Sequence, residues 1–177
     1  FISRDKIADV GGTEVAFFSV GPGGNACAPN TLMAWMPEGE EVRIASLGED
    51  CGSPSAAISN YGVFFVPYLL PGDTAEVRAW TPDDGFSLQG MLSYAPDPGS
   101  NWASFDPKAI SHPMDVFRNA DIYAAAQALL GTRLTDVVTG LSVAASPDVS
   151  ASGLLSARGC VPHACTMADT FIVVDAE

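Results

Sequence analysis

Basic residues are scarce: eight Lys and Arg stand against 21 Asp and Glu in 177 residues, a net charge of −13. A surface of that sign repels a nucleic-acid backbone or an anionic leaflet, so neither is expected as a partner. Long apolar runs are missing too. The longest, residues 63–70, is interrupted by Pro67 and falls well short of the ~20 residues that cross a bilayer, so no membrane span is expected. Charged residues make up only 16% against a usual ~25%, and with 47% apolar residues the chain has the composition of a folded protein rather than a disordered one. The chain begins at Phe1 rather than Met, and a segment upstream, a signal peptide or another, is expected to have been removed.

Catalytic equipment is thin. There are two His, at 112 and 163, and no Gly-x-Ser-x-Gly elbow to place a nucleophile, which leaves a serine hydrolase unsupported. The Gly-rich stretch 20–24 lacks the Lys-Ser/Thr of a phosphate loop and precedes no helical pattern, so it is a turn. The acidic pairs Glu49-Asp50 and Asp83-Asp84 sit in no ligand-spaced loop and are solvated turns. No catalytic residue, cofactor or metal is expected.

What is present in quantity is punctuation: 17 Gly and 13 Pro, spread without a repeat. Short apolar or alternating runs at 14–20, 32–36, 42–47, 62–68, 75–81 and 87–94 are separated by turn residues such as Pro37-Glu38-Gly39 and Asp83-Asp84-Gly85, which predicts a hairpin-rich antiparallel β-region over 1–106. Residues 114–130 are the one long stretch of helical composition free of Gly and Pro, with a start signal at Ser111-His112-Pro113 and a stop at Gly131. Runs at 134–145, 153–157 and 170–175 read as strands for that helix to cover, giving a small helix-plus-antiparallel-sheet module over 107–177. The fold class is therefore β-rich, α+β. Acidity is concentrated in the first part: 14 acids against four bases over 1–106, seven against four over 107–177.

Four Cys, at 27, 51, 160 and 165, allow three pairings. The pairing Cys27–Cys51 and Cys160–Cys165 closes two modest loops, stabilised by about 3 and 2 kcal/mol in the chain-entropy view. Disulfides imply an oxidising compartment, periplasmic or secreted; the competing reading is four reduced, buried Cys in a cytosolic protein.

The run Arg158-Gly159-Cys160-Val161-Pro162-His163-Ala164-Cys165 joins two Cys, a stiffening Pro and one of the two His. A metal site has only three ligands here at a spacing that matches no common zinc pattern, and a redox pair normally has two intervening residues rather than four. A structural corner and a recognition loop that presents a pre-organised imidazole remain. Cys160-Val161-Pro162-His163-Ala164-Cys165, followed by the apolar strand 171–174, resembles the Cys-Lys-Pro-His-Asp-Cys loop of the Ivy family, periplasmic inhibitors of vertebrate-type lysozyme. The resemblance implies a helix ahead of a sheet and a disulfide-closed loop that enters the lysozyme cleft, with His163 between the catalytic carboxylates, Cys160 and Cys165 as the clamp and Pro162 as the stiffener. Val161 and Ala164 stand where that family has Lys and Asp, and with His163 and Pro162 they form the expected partner-binding set. The expected partner is a cationic protein, a c-type lysozyme or another muramidase, steered by the net charge.

Two other readings follow from the residues. One is a structural or ligand-binding envelope protein in which the loop is only a stable corner and an apolar cleft between the halves is lined by Trp35, Trp80 or Trp102. The other is an enzyme with His163 as general base, which requires an acid such as Asp169 within hydrogen-bond reach.

Overall fold

A computed structural model describes residues 1–24, 27–48 and 51–175. The pair Glu49-Asp50 lies outside the described residues. The chain divides into two compact units, one formed by Phe1–Tyr68 with Ala75–Leu92, the other by Leu69–Thr74 with Ser93–Glu177.

The first unit is built from two four-stranded sheets whose strands follow one another in chain order. Sheet one holds β1 (Ile2–Val10), β2 (Thr13–Val20), β3 (Asn30–Trp35) and β4 (Arg43–Ser46); sheet two holds β5 (Ser55–Ile58), β6 (Val63–Val66), β7 (Thr74–Thr81) and β8 (Gly85–Ser93). Side chains alternate between the two faces of a strand, so one residue in two reaches the core. Val15 and Phe17 of β2, Met33 and Trp35 of β3, Val63 and Phe65 of β6, and Trp80 of β7 share one buried cluster with Val10. Trp35 and Trp80 meet edge to face with ring centroids 4.9 Å apart, the preferred geometry for two indoles. Trp35 and Trp80, weighed in the sequence as cleft-lining residues, are buried in this core. The Cys27–Cys51 disulfide is closed.

Two strands had no signal in the sequence. β1 carries Arg4, Asp5 and Lys6 in its middle, is exposed along most of its length and holds its place through backbone pairing to β2, with a register shift between Arg4 and Lys6. β5, Ser-Ala-Ala-Ile, is an edge strand whose first three residues are small and whose one β-branched residue is Ile58, too little to mark a strand.

In the second unit the helical stretch is divided. His112 caps a 3-10 helix at Pro113–Arg118, its Nδ1 accepting from the Met114 N–H at 3.3 Å. α1 spans Ala120–Leu130. The expected single helix over 114–130 is interrupted because Asn119 is extended and starts a new helix: its Oδ1 accepts from the N–H groups of Asp121 and Ile122, and its Nδ2 donates to the Asn101 carbonyl at 2.8 Å. Gly131, at φ +55, ends α1. The expected strand at 134–145 is another correction. Residues Leu134–Thr139 form α2, and only Val143–Ala144 are extended, as β9. Leu134, Val138 and Leu141 are fully buried at the i, i+4, i+7 spacing of a helical face, and that period overrides the β-branched composition of the segment.

β10 (Asp148–Val149), β11 (Leu155–Cys160) and β12 (Asp169–Val174) form the sheet in that order, and β9 pairs with the far end of β11. Val116, Phe117, Ile122, Leu134, Val138 and Leu141 pack on Leu155 and Val174 to close the core. Asn119 is the one buried polar residue among those described. Replacing it with Ala removes the cap, about 1 kcal/mol, and leaves a carbonyl without its donor, about 1 kcal/mol or more. A loss of about 2–3 kcal/mol in urea unfolding of Asn119→Ala is expected.

Candidate partner-binding loop

β11 and β12 are antiparallel neighbours whose last register pair is Cys160 opposite Asp169, so residues 161–168 form the connection at the end of the hairpin. The base of that hairpin is narrow. A Cβ on Gly159 would stand 2.8 Å from the Leu141 Cα and 3.0 Å from the Gly140 carbonyl oxygen, both backbone, so only glycine lets β11 pass the 140–143 turn. Cys160 is buried and bonded to Cys165, which is exposed. With both sulfurs joined to each other, neither is free to ligate a metal.

Inside the six-residue ring the chain makes a tight turn. The Ala164 N–H donates to the Val161 carbonyl at 3.0 Å, Pro162 occupies the second position and His163 the third, at φ +64. That is the pattern of a type II β-turn, in which proline pre-sets the second position and the third must take a positive φ. His is one of the side chains that tolerates this conformation better than most. A second turn follows directly. The Met167 N–H donates to the Ala164 carbonyl at 3.0 Å, with Thr166 in the third position at φ +76. For a β-branched residue that conformation is strained by about 1–3 kcal/mol and is held by its surroundings. The Ala168 N–H also donates to the Ala164 carbonyl, at 2.9 Å, and the Val161 N–H to the Ala168 carbonyl, at 3.1 Å, closing the loop.

Pro162, His163, Thr166 and Met167 are exposed, while Val161 and Ala164 are half-buried beneath them. Among the described residues, no side-chain hydrogen bond engages His163, whereas His112 is committed to capping a helix. Asp169 faces elsewhere: one carboxylate oxygen accepts from the Thr166 N–H at 2.9 Å and the other from the Arg158 guanidinium. The Arg158 hydrogen bond, followed by the Thr166 N–H, holds the Asp169 carboxyl below the usual carboxylate range. A depressed folded pKa contributes stability above the unfolded value and loses it as pH falls through the lowered one, so the tie persists at neutral pH and opens only in acid. Among the described residues no hydrogen bond joins Asp169 to His163; the two oxygens of Asp169 are engaged by Arg158 and Thr166. The sequence marks Asp169 only as an acid that could pair with His163 and gives Thr166 no part in the loop; the positive φ of a non-glycine residue carries no sequence signature.

A different apolar surface borders α1 and β12. Trp102, Leu129, Leu130, Phe171 and Val173 line an open groove of about 400 Å³, with Leu129 and Phe171 largely exposed. Among the described residues no helix is long and apolar enough to cross a membrane.

Residues 1–93, more than half of the chain, match the family described as the Y4bG N-terminal domain. The chain belongs to the Y4bG N-terminal domain family. Residues 121–177 match a second family, Inhibitor of vertebrate lysozyme (Ivy), over a span that takes in all of α1 but its first residue, the sheet and the whole loop. This member of the Y4bG N-terminal domain family is also 28% identical over 173 residues to uncharacterized protein y4bG of Sinorhizobium fredii. That similarity covers 98% of this chain and 64% of the relative, so the chain spans just under two-thirds of the length of the curated relative it matches. No solved structure matches it. Two closed disulfides and a C-terminal part that matches the Ivy family are consistent with an extracytoplasmic location.

Proposed function

We propose that this protein is a non-enzymatic periplasmic or secreted inhibitor that plugs the cleft of a cationic muramidase, a c-type lysozyme first, with His163. The observation that carries this reading is an exposed imidazole, at the third position of a disulfide-closed Pro turn, within the segment that matches the inhibitor family. A retaining glycosidase of this kind needs one carboxyl protonated as acid and its neighbour ionised. An imidazole placed between them occupies the substrate's position and disturbs that division, so inhibition asks no chemistry of the inhibitor. The turn and its clamp leave little conformational entropy to lose on binding, and Val161 and Ala164 give the plug apolar shoulders.

The net charge of −13 steers a cationic enzyme toward the protein. The association rate with a c-type lysozyme, followed by surface plasmon resonance, is therefore expected to fall by tenfold or more between about 20 and 200 mM salt, with the dissociation rate nearly unchanged. A rate indifferent to salt contradicts the steering, and no binding at micromolar protein contradicts the choice of partner.

The apolar groove beside α1 favours one other reading, an envelope protein that binds an apolar ligand, in which the loop is a stable corner. Quenching or shift of tryptophan fluorescence on adding a hydrophobic dye, lost in Trp102→Leu, supports that reading.

A further inference from the structure

We propose that Asp169 is the positioning residue of the loop, the group that sets the direction in which His163 projects by holding the turn behind it. The inference rests on the plug reading for its consequence in binding, but its geometry stands alone. The disulfide fixes only one side of the connection, tying Cys160 to Cys165. Beyond Cys165 the chain must reverse through the turn 164–167 to reach β12, and that turn requires a positive φ at Thr166, which a β-branched residue adopts only under constraint. The constraint present is Asp169, whose Oδ1 takes the Thr166 N–H at 2.9 Å from the first position of β12. Its other oxygen reaches Arg158 on the adjacent strand, so one carboxylate joins both arms of the hairpin and the strained turn between them. Ala164 carries the consequence to the His. Its carbonyl accepts from Met167 and Ala168 in the second turn while its N–H closes the first, so a shift of the second turn moves the residue next to His163.

The two contacts of Asp169 differ in weight. The Arg158 side chain is about three-quarters exposed, so the ion pair is solvated and screened, whereas the Thr166 N–H has no other acceptor among the described residues. Asn at 169 still offers an oxygen to that N–H; Ala does not. Glycine at 166 takes the positive φ without strain and needs no holding.

The test is native-state hydrogen exchange read by NMR on the full disulfide-bonded chain, with lysozyme inhibition measured in parallel. Asp169→Ala is expected to speed exchange at the amides of Thr166 and Met167 by tenfold or more, with α1 and β11 amides unchanged, and to weaken inhibition by tenfold or more. Asp169→Asn is expected to stay within threefold on both, and Thr166→Gly added to Asp169→Ala to recover most of the inhibition. Thr166 exchange in Asp169→Ala equal to that of the parent protein overturns the proposal. So does equal loosening in Asp169→Asn, which would make the ion pair the holding contact. If the parent chain inhibits no lysozyme, the plug reading fails while the exchange data still decide the role of Asp169.

Discussion

His163→Ala is expected to weaken inhibition of a c-type lysozyme by about 100-fold or more, with the unfolding midpoint changed by no more than a few degrees. A single anchoring side chain at the centre of an interface contributes on the order of 2–4 kcal/mol, and each 1.4 kcal/mol is tenfold in affinity. The figure belongs at the upper end here because nothing beside His163 can replace it. Val161, Pro162 and Ala164 bring no polar side-chain atom to a cleft whose business is done by two carboxylates, Cys165 is held in the disulfide, and the exposed Thr166 and Met167 belong to the following turn. Alanine at φ +64 adds a strain of about 1 kcal/mol to the loop, so His163→Asn, which accepts that conformation, is the matched control. Equal losses in the two variants assign the effect to the imidazole. Opening the clamp with Cys160→Ser and Cys165→Ser is expected to bring a similar loss by another route, since the loop must then be ordered at the moment of binding.

Trp80→Ala has the largest expected effect on stability, a loss of about 3–5 kcal/mol in the first unit. Trp80 is 1% exposed, stands at the junction of both sheets' core residues and meets Trp35 edge to face, so its removal empties the middle of a cluster drawn from β2, β3 and β6. Domains are stable by only about 5–15 kcal/mol, and the loss therefore takes a large share. In urea the midpoint is expected to drop with the slope unchanged, the sign of a cavity rather than of a changed unfolded state. A loss under about 1 kcal/mol contradicts the placement of Trp80 at the heart of that core. Because His163 and its clamp belong to the second unit, inhibition measured well below the lowered midpoint is expected to survive in Trp80→Ala.

The fold class was legible because antiparallel strands with one buried face write an alternating pattern, and β2, β3, β6 and β7 lie within one or two residues of where that pattern put them. Two of the edge strands, β1 and β5, write no such pattern, whereas β4 and β8, also at edges, fall on the runs at 42–47 and 87–94. β1 is held by backbone pairing and carries charges that face solvent, and β5 is nearly all small residues. The break at Asn119 and the helical turn at 134–139 were hidden for a different reason: Asn119 owes its position to Asn101, 18 residues away, and Val137-Val138 in α2 prefer strands until the core takes Leu134, Val138 and Leu141 on one helical face. At the loop, the ring Cys160–Cys165 and the Pro162-His163 turn could be read from residue types. The conformation of Thr166 could not, since it depends on an acceptor three residues away that composition leaves indistinguishable from a surface acid.

The central claim is that the loop inhibits by occupying a muramidase cleft, and the clearing of a bacterial cell-wall suspension by a c-type lysozyme tests it most directly. Micromolar protein is expected to slow clearing at low salt, less so at moderate salt, and to lose the effect in His163→Ala and after reduction of Cys160–Cys165. Undiminished clearing at low salt, or inhibition that His163→Ala retains in full, contradicts it.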